Sequence, residues 1–462
     1  MAGTFAVVLA AGQGTRMKSK KHKVLHELCG KPMIRHLLDT LQDAGFDRKI
    51  VVVGKLKEQV MDTLGDYEYA IQEEQLGTGH AVMMAQDKLA NEQGTTLVCA
   101  GDTPILKKET LQAMVEHHKA EGAAVTVLTA VADNPFGYGR IVRDPATGHV
   151  VKIVEQKDAS EEEKAIREIN SSVYLFDNQA LAEALGKIDN QNAQGEYYLT
   201  DCLSVLVQAG RKATAYITDD ANEIQGINDR LQLAAANRIV RERILERHMR
   251  NGVTIVDPAN TYIDTDVVIG ADTVLQPGCV LEGKTVIGED CAIGPDSHLI
   301  DVTVGDGVTI KHSVLVEAHV ERGATVGPFA YLRPQAHIGP NAKIGDFVEI
   351  KNSKIGAGTK VSHLTYIGDA QVGENVNVSC GTITVNYDGF NKHKTIIGDN
   401  SFIGCNTNLV APVTLGHDAF VAAGSTITDD VPDGAFAIAR QRQTTKEDYT
   451  EKLQTKLREN KQ

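Results

Sequence analysis

The segment LAAGQGTRM, residues 9–17, places two glycines and an arginine directly after an apolar run at residues 5–9. A strand that ends in a glycine-rich turn can present backbone N–H groups to a phosphate, because glycine has no side chain to block the approach. The spacing excludes two common phosphate motifs. Met17 stands where a dinucleotide fingerprint needs its third glycine, and no Gly-Lys-Ser/Thr sequence follows the turn. An ordinary strand–helix connection explains the turn alone equally well.

Basic residues are concentrated just after the glycine turn, at Arg16, Lys18, Lys20, Lys21 and Lys23. Charged runs are usually solvated faces, but this one lies beside the turn in a chain whose formal net charge is −14. The position therefore favours local binding of an anionic substrate. The acidic balance of the whole chain argues against nucleic-acid binding.

Short apolar runs alternate with helical patterns through the first half of the chain. Candidate strands lie at residues 5–10, 49–54, 96–101, 124–131 and 171–176. This alternation predicts a mostly parallel, doubly wound, Rossmann-like α/β domain over residues 1–229. Ligands of such sheets bind outside the carboxyl ends of the strands, where both the glycine turn and Asp102 fall.

A second pattern takes over after a charged amphipathic segment at residues 230–250, which predicts a linker helix. From residue 251 to 462 aliphatic residues recur at every sixth position over long stretches, as in Ile263, Ile269, Leu275, Leu281, Ile287, Ile293 and Leu299. Hexapeptide repeats build a left-handed parallel β-helix, in which each aliphatic residue points inward and stacks on its copy in the next coil. Three hexads per coil give about nine coils, a prism on the order of 45 Å long at about 4.8 Å per coil.

The composition bounds the class of protein. A chain of 462 residues predicts at least two domains. No apolar run reaches the roughly 20 residues that span a bilayer, and no signal peptide is indicated. Seven scattered cysteines without a C-x-x-C pair favour reduced thiols in the cytoplasm and argue against a zinc site.

Several motifs together carry a resemblance to a known family. They are LAAGQGTRM (9–17), EQLGTGHA (74–81), GYGRI (137–141), IVEQKD (153–158), NAQGEYYLTD (192–201), HLTYIGDA (363–370) and NYDG (386–389). Over essentially its whole length the chain resembles the bacterial bifunctional N-acetylglucosamine-1-phosphate uridylyltransferase and glucosamine-1-phosphate N-acetyltransferase family. The resemblance implies two reactions that make UDP-N-acetylglucosamine, a precursor of peptidoglycan and lipopolysaccharide.

For the N-terminal domain, the resemblance implies transfer of UMP from UTP to N-acetylglucosamine 1-phosphate with Mg²⁺. The implied substrate-binding residues are Leu9, Ala10, Ala11 and Gly12 for the nucleotide, Arg16 and Lys23 for the phosphates, Gln72, Gly77 and Thr78 for the uracil, and Gly139, Glu155 and Asn170 for the sugar. The implied magnesium ligands are Asp102 and Asn228. Chemistry alone favours Asp229 over Asn228, because a carboxylate is the stronger ligand; only the motif favours the amide.

For the C-terminal domain, the resemblance implies acetyl transfer from acetyl-CoA to glucosamine 1-phosphate. An amine loses a proton as it attacks, so a histidine base is expected. Among seven histidines of this half, His363 lies between the inward positions Val361 and Ile367 and within a family motif. The implied binding residues are Arg333, Lys351, Tyr366 and Asn377 for the sugar phosphate, Asn386 and Tyr387 for the acceptor and acetyl group, and Cys380, Cys405, Ala423 and Arg440 for acetyl-CoA.

The resemblance also implies a homotrimer formed through the β-helix. Two alternatives stay open at this point. One is a sugar-1-phosphate nucleotidyltransferase with a single activity and a regulatory β-helix, which would not need His363 or the loop at residues 386–389. The other is a catalytically silent scaffold, which would not need Arg16, Lys23 or Asp102.

Overall fold

The computed structural model describes residues 3–89, 92–192 and 194–460. Ala193, in the motif at residues 192–201, lies outside the described residues. The chain divides into two compact units, Met1–Arg243 and Ile244–Gln462. The division falls inside a helix at Arg230–Arg250, over the residues where the sequence predicts a linker helix.

The first unit alternates strands and helices. Its strands are β1 Gly3–Ala10, β2 Glu27–Leu28, β3 Lys31–Pro32, β4 Arg48–Val53, β5 Glu68–Ile71, β6 Gly94–Ala100, β7 Val125–Val131, β8 Arg140–Arg143, β9 Val150–Val154, β10 Glu168–Asp177 and β11 Ala213–Ile217. Its helices are α1 Met33–Asp43, α2 Lys57–Leu64, α3 Thr78–Met83, α4 Gln86–Leu89, α5 Lys108–Glu121, α6 Glu161–Lys164, α7 Asn178–Leu185 and α8 Leu199–Gln208. The helix Arg230–Arg250 is α9.

The main sheet runs in the order β11-β7-β10-β6-β1-β4-β5. Its neighbours pair in parallel, except that β10 runs antiparallel to both β6 and β7. Val7, Ile50, Val98 and Val125 have no exposed surface and form the core between sheet and helices. The mostly parallel, doubly wound α/β prediction is therefore confirmed, with β10 as the antiparallel exception.

Two parallel strands bring the candidate residues of this unit to one edge of the sheet. β1 pairs in register with β6 up to Leu9 and Ala100, and the Gly101 N–H donates to the Leu9 carbonyl at 2.8 Å. The glycine turn and Asp102 follow these strand ends directly. Helix α1 packs against the segment Lys23–Leu25, which follows the turn. Its apolar residues share one face, and Leu37 and Leu41 are fully buried there.

The second unit is a left-handed parallel β-helix, as the hexads predict. Its first face has strands Thr254–Ile255, Val274–Leu275, Ala292–Ile293, Thr309–Ile310, Thr325–Val326, Lys343–Asp346, Lys360–His363, Asn377–Val378, Phe402–Ile403, Phe420–Val421 and Phe436–Ala437. The second face has Tyr262–Ile263, Val280–Glu282, His298–Ile300, Val314–Val316, Tyr331–Leu332, Glu349–Lys351, Tyr366–Gly368, Ile383–Val385, Asn408–Val410 and Thr426–Ile427. The third face has Val268–Ile269, Val286–Ile287, Thr303–Val304, His319–Val320, Ala336–Ile338, Ser353–Ile355, Ala370–Val372, Thr395–Ile397 and Val413–Leu415.

Each strand of the β-helix pairs in parallel with the strand of the same face one coil later. The inward aliphatic residues, such as Ile293, Leu299 and Ile350, have no exposed surface. Residues between Ile383–Val385 and Thr395–Ile397 leave the repeat and form a loop, in which Tyr387 and Lys392 make an isolated antiparallel bridge. A helix, α10 Tyr449–Glu459, follows the last coil and has no buried residue.

Candidate active sites

A cavity of about 620 Å³ opens at the carboxyl edge of the main sheet in the first unit. Seven of the residues singled out in the sequence line it: Leu9, Arg16, Thr78, Asp102, Glu155, Asn170 and Asn228. They come from six separate stretches of the chain, which the fold of this unit brings together. The edge of a doubly wound sheet is the usual position for a ligand site.

Two oxygen ligands converge on one cationic point in this cavity. The Lys23 ammonium donates to Asp102 Oδ2 and lies 3.0 Å from Asn228 Oδ1. The Lys23 and Asp102 side chains are largely buried, at 14% and 13% exposure. Mg²⁺ prefers such carboxylate and amide oxygens and commonly takes only one or two from the protein. The donor set therefore fits Mg²⁺, and the lysine ammonium marks the point where a cation is stabilised.

The structure also distinguishes Asn228 from its neighbour Asp229. Asn228 is held by its backbone N–H, which donates to Gln232 Oε1 at 2.7 Å, and its side-chain oxygen faces Lys23. Asp229 instead accepts the Gln232 N–H at 2.9 Å, at the start of α9. Its carboxylate is therefore used as a helix cap. The choice that chemistry alone favoured is the one that the local fold disfavours.

The sugar-side residues predicted from the motifs lie together. Asn170 is buried, and its side chain exchanges hydrogen bonds with the Tyr174 hydroxyl and accepts the Ser172 N–H. A bulge in β10 between Asn170 and Tyr174 bends the strand here, and Ser172 has a φ of 62°. A Cβ on Gly139 would lie 3.3 Å from Glu155 Oε1 and 3.4 Å from Asn170 Cβ, so these three residues are adjacent.

Glu155 is a cavity-lining carboxyl whose surroundings disfavour its charged form. Burial raises its pKa above the ordinary glutamate value, and the negative charges of Asp158 and Asp201 raise it further. A carboxylate that is partly desolvated and lies near two other negative charges is stabilised by any hydrogen-bond donor that a ligand brings. A sugar hydroxyl is such a donor.

The remaining N-terminal candidates surround the cavity without lining it. Ala10 and Ala11 are buried at the end of β1, while a Cβ on Gly12 would meet no atom within 4 Å, so the turn is open on that side. Gln72 is buried and donates to the Gly77 carbonyl at 3.0 Å. Gly77 has a φ of +108°, and a Cβ there would lie 2.5 Å from the Tyr197 carbonyl oxygen, so only glycine fits.

In the second unit, His363 is paired with a carboxylate that the sequence did not single out. The His363 Nδ1 lies 2.5 Å from Asp346 Oδ1, one coil earlier on the same face. Hydrogen bonding from His363 lowers the pKa of Asp346, which therefore stays ionised. An ionised carboxylate only accepts, so Nδ1 carries a proton, and in the neutral form of the imidazole the lone pair is then on Nε2. The His363 side chain is 57% exposed, which leaves Nε2 open to a ligand.

Three cations gather near this histidine's coil: Arg333 and Lys351, at strands of the second face, and Lys392, in the inserted loop. Arg333 donates to Glu349 Oε1 at 2.7 Å. The pKa of Lys351 is lowered chiefly by contact with the Lys392 amine and its positive charge, and to a smaller extent by loss of solvent and by the charge of Arg333. Such mutual repulsion is relieved when an anion binds, so the charges of this cluster favour an anionic ligand.

Tyr366 and Asn386 meet over a glycine. A Cβ on Gly368 would lie 2.3 Å from the Tyr366 hydroxyl oxygen and 2.9 Å from Asn386 Nδ2. Asn386 is mostly buried and donates to Asp369 Oδ2 at 2.5 Å, which holds the start of the inserted loop against the coil. Tyr387 is 58% exposed and its hydroxyl donates to the Gly389 carbonyl.

The candidates for acetyl-CoA follow one corner of the prism. Backbone hydrogen bonds join successive corner turns, from Asn406 to the Cys380 carbonyl and from Gly424 to the Cys405 carbonyl, both at 2.8 Å. Ala423 and Arg440 are exposed further along, and a Cβ on Gly424 would lie 3.6 Å from the Arg440 Cδ. Asn377 lies on the first face, where its amide donates to Ser379 Oγ at 3.1 Å.

Comparison with known proteins agrees with this division. A MobA-like NTP transferase domain model matches residues 6–171. A bacterial transferase hexapeptide model of six repeats matches residues 317–352 and 394–429, and a succinyl-transferase hexapeptide repeat matches residues 284–314. The chain is 58% identical over 457 residues to the bifunctional protein GlmU of Geobacillus sp. (strain WCH70), covering 99% of both chains.

Two further relatives are similar to the same extent. The bifunctional protein GlmU of Brevibacillus brevis is 57% identical, again over 99% of both chains. That of Exiguobacterium sp. (strain ATCC BAA-1283 / AT1b) is 56% identical over 97% of this chain and 99% of its own. The chain belongs to the GlmU family. The nucleotidyltransferase domain and the hexapeptide acyltransferase domain are both present. Membership of the bifunctional family therefore excludes the two alternatives, a nucleotidyltransferase with a single activity and a catalytically silent scaffold.

The GlmU sites contain residues that the sequence analysis missed. Asp346 meets His363 because successive coils are stacked, and Lys392 meets Lys351 because the inserted loop folds back onto the coil. No local spacing in the sequence signals either contact. The GYGRI motif contained Tyr138, and the NAQGEYYLTD motif contained Tyr198. Both line the cavity of the first unit, and the motifs were quoted without assigning these two side chains.

In the described residues of this GlmU-family chain no helix is both long and apolar enough to cross a membrane.

Proposed function

We propose that this chain makes UDP-N-acetylglucosamine in two steps, one in each unit. The second unit transfers acetyl from acetyl-CoA to glucosamine 1-phosphate. The first unit then transfers UMP from UTP to the resulting N-acetylglucosamine 1-phosphate and releases pyrophosphate. The observation that carries the proposal is the presence of two complete constellations: Asp102 with Asn228 in one unit, and the His363–Asp346 pair beside three cations in the other.

In the first unit, a phosphate oxygen of N-acetylglucosamine 1-phosphate attacks the α-phosphorus of UTP. The bond between the α-phosphorus and the oxygen that bridges to the β-phosphorus breaks, and pyrophosphate leaves. Asp102 and Asn228 would hold Mg²⁺, which neutralises phosphate charge when bound. Arg16 and Lys23 add positive charge at the triphosphate, and the open Gly12 turn lets backbone N–H groups approach it. Glu155, Asn170 and Gly139 would fix the sugar, so that the attack is in line.

In the second site, the amine nitrogen of glucosamine 1-phosphate attacks the thioester carbonyl carbon. His363 Nε2 accepts the proton that the nitrogen gives up, the C–S bond breaks, and coenzyme A leaves as a thiol once it gains a proton. Asp346 fixes the tautomer and stabilises the charged imidazole. Arg333, Lys351 and Lys392 would hold the phosphate, with Tyr366, Asn377, Asn386 and Tyr387 around the acceptor and Cys380, Cys405, Ala423 and Arg440 along the coenzyme.

We further propose that the protein works as a homotrimer in the cytoplasm. Hexapeptide β-helices associate, and this one leaves aromatic side chains open. Phe402, Phe420 and Phe436 stack at ring separations of 4.7 and 5.6 Å and are 38%, 43% and 63% exposed. The seven scattered cysteines, without a C-x-x-C pair, support a reducing compartment. Light scattering should give three times the 49.8 kDa chain mass, and a monomer would refute the trimer.

One assay tests the overall activity. The purified chain is given glucosamine 1-phosphate, acetyl-CoA, UTP and Mg²⁺, and UDP-N-acetylglucosamine, coenzyme A and pyrophosphate are measured together. Equal amounts of the three products are expected. If coenzyme A is released but no UDP-N-acetylglucosamine forms, only acetyl transfer is present. If UDP-N-acetylglucosamine forms only when N-acetylglucosamine 1-phosphate is supplied, and no coenzyme A is released, only uridylyl transfer is present.

A further inference from the structure

A group of three metal-ligating side chains lies on the third face of the β-helix. In the strand His319–Val320, Val320 points into the core and has no exposed surface. Side chains alternate along a strand, so His319 and Glu321, on either side of Val320, both point outward. The next coil pairs His319 in register with His337, which adds a second imidazole to the same patch.

The ligand atoms of these residues are already close together. The two imidazole centroids are 4.7 Å apart, and His337 Nε2 lies 2.5 Å from Glu321 Oε1. One ligand atom from each of the three residues lies within 4.8 Å of the others. All three residues are half-buried, so their rotation is restricted while the patch stays open to solvent. Ligands about 2.0–2.1 Å from a tetrahedral ion lie roughly 3.4 Å from one another, so small side-chain rotations suffice.

We propose that His319, Glu321 and His337 bind a divalent transition metal ion, Zn²⁺ first. Two imidazole nitrogens and one carboxylate oxygen suit Zn²⁺, which leaves a fourth position for water or another ligand. Mg²⁺ prefers oxygen ligands, so this site differs in chemistry from the Asp102–Asn228 pair. The bound ion would tie two successive coils of the third face together. The cysteine pattern gave no sign of zinc, because this site arises from coil register.

The chain supplies a matched control for an ordinary histidine–glutamate contact. On the second face His298 Nε2 lies 2.5 Å from Glu282 Oε2, the same separation as in the His337–Glu321 pair. No third ligand joins that pair among the residues that the structure describes. If the His337–Glu321 contact is only an ion pair, the two pairs should behave alike toward metal.

Other groups in register with the patch define a second variant. Thr303 is paired with His319 on the coil before, and Lys354 is paired with His337 on the coil after. The Lys354 ammonium is the positive charge nearest in register, and it opposes a bound cation. K354Q should therefore bind Zn²⁺ at least as tightly as the unchanged chain.

The test measures Zn²⁺ binding to the full-length chain after dialysis against a chelator, by competition with a fluorescent zinc indicator. H319A, H337A and E321Q are compared with H298A and E282Q. The unchanged chain should hold one Zn²⁺ that each imidazole deletion weakens by at least about 100-fold, since even outer partners of metal ligands are worth 10–100-fold. Co²⁺ in the same site should give the visible absorption of a tetrahedral ion without a thiolate charge-transfer band.

The outcomes separate the two readings. Loss of the tight ion in H319A, H337A and E321Q, with H298A and E282Q unchanged, supports the site. Equal Zn²⁺ binding by the unchanged chain and by an H319A/H337A double variant overturns it, as does equal loss in H298A. E321Q removes charge while keeping shape, so its result does not depend on folding of the histidine variants. None of these readouts uses either enzymatic reaction, so failure here leaves the proposed function standing.

Discussion

At the scale of single residues, the acetyl-transfer site depends on a pair. His363 would be a poor base if both its ring nitrogens competed for protons, and the Asp346 carboxylate removes that choice. The pKa of Asp346 is lowered, so the carboxylate is charged wherever the enzyme works. We therefore propose that His363 is the base and that Asp346 positions it.

Replacing His363 should slow acetyl transfer far more than it weakens binding. H363A is expected to lower kcat roughly 10²- to 10⁴-fold, the usual worth of a general base. D346N should lower kcat by less and change its pH profile, because an amide can also donate to the ring and stabilise the wrong tautomer. Steady-state kinetics of coenzyme A release measures both. A loss below tenfold in H363A, or an effect confined to KM, would make it a binding residue; H298A is the control.

Replacing Glu155 with glutamine should stabilise the fold and weaken binding of the sugar phosphate. Because its folded pKa is raised, the charged form is disfavoured in the fold. The cost is absent below the pKa of the unfolded chain and appears as the pH rises through and beyond it. E155Q should therefore unfold at higher urea than the unchanged chain at pH 7, and the difference should vanish near pH 4.

The same substitution should raise the KM for N-acetylglucosamine 1-phosphate, because an amide is a weaker acceptor for a sugar hydroxyl. Urea titrations at the two pH values and uridylyl-transfer kinetics check the two halves. A destabilised E155Q at pH 7 would contradict the charge argument, and an unchanged KM would remove Glu155 from the sugar site.

At the scale of elements, the turn after β1 predicts a substitution that is harmless to folding and harmful to activity. A Cβ on Gly12 meets no protein atom within 4 Å, so G12A should unfold at the same temperature as the unchanged chain. If the turn faces the UTP phosphates, the added methyl group should slow uridylyl transfer by tenfold or more. Acetyl transfer by the same protein is the internal control. Full uridylyl transfer by G12A would place the phosphates elsewhere.

The elements also show what the sequence could and could not predict. Hexads such as Ile287 and Ile293 predicted the β-helix because each coil repeats one inward pattern, and a repeated pattern needs no long-range information. The contacts of His363 with Asp346 and of Lys351 with Lys392 could not be predicted, because they depend on coil register and on a loop that leaves the repeat. Chemistry alone favoured Asp229 over Asn228 as a metal ligand for a related reason. The role of Asp229 as a helix cap depends on where α9 begins, which the choice of ligand type does not consider.

At the scale of the whole molecule, the two proposed sites lie in separate units. Each constellation is built from residues of one unit alone, with the sugar-nucleotide cavity in Met1–Arg243 and the His363 site in Ile244–Gln462. A substitution in one site should therefore leave the other reaction near its normal rate. This independence is the central claim.

D102A tests that claim most directly. The substitution removes the Asp102 carboxylate, one of the two side chains that we propose as Mg²⁺ ligands. It also removes the carboxylate that accepts a hydrogen bond from the Lys23 ammonium. Uridylyl transfer and acetyl transfer are measured on the same preparation, with circular dichroism to confirm folding. We predict that the rate of uridylyl transfer falls about 10³-fold, the size of effect seen when a key electrostatic group is removed from an active site. The rate of acetyl transfer should stay within twofold of that of the unchanged chain. Loss of both activities in a folded protein, or retention of both, would contradict it.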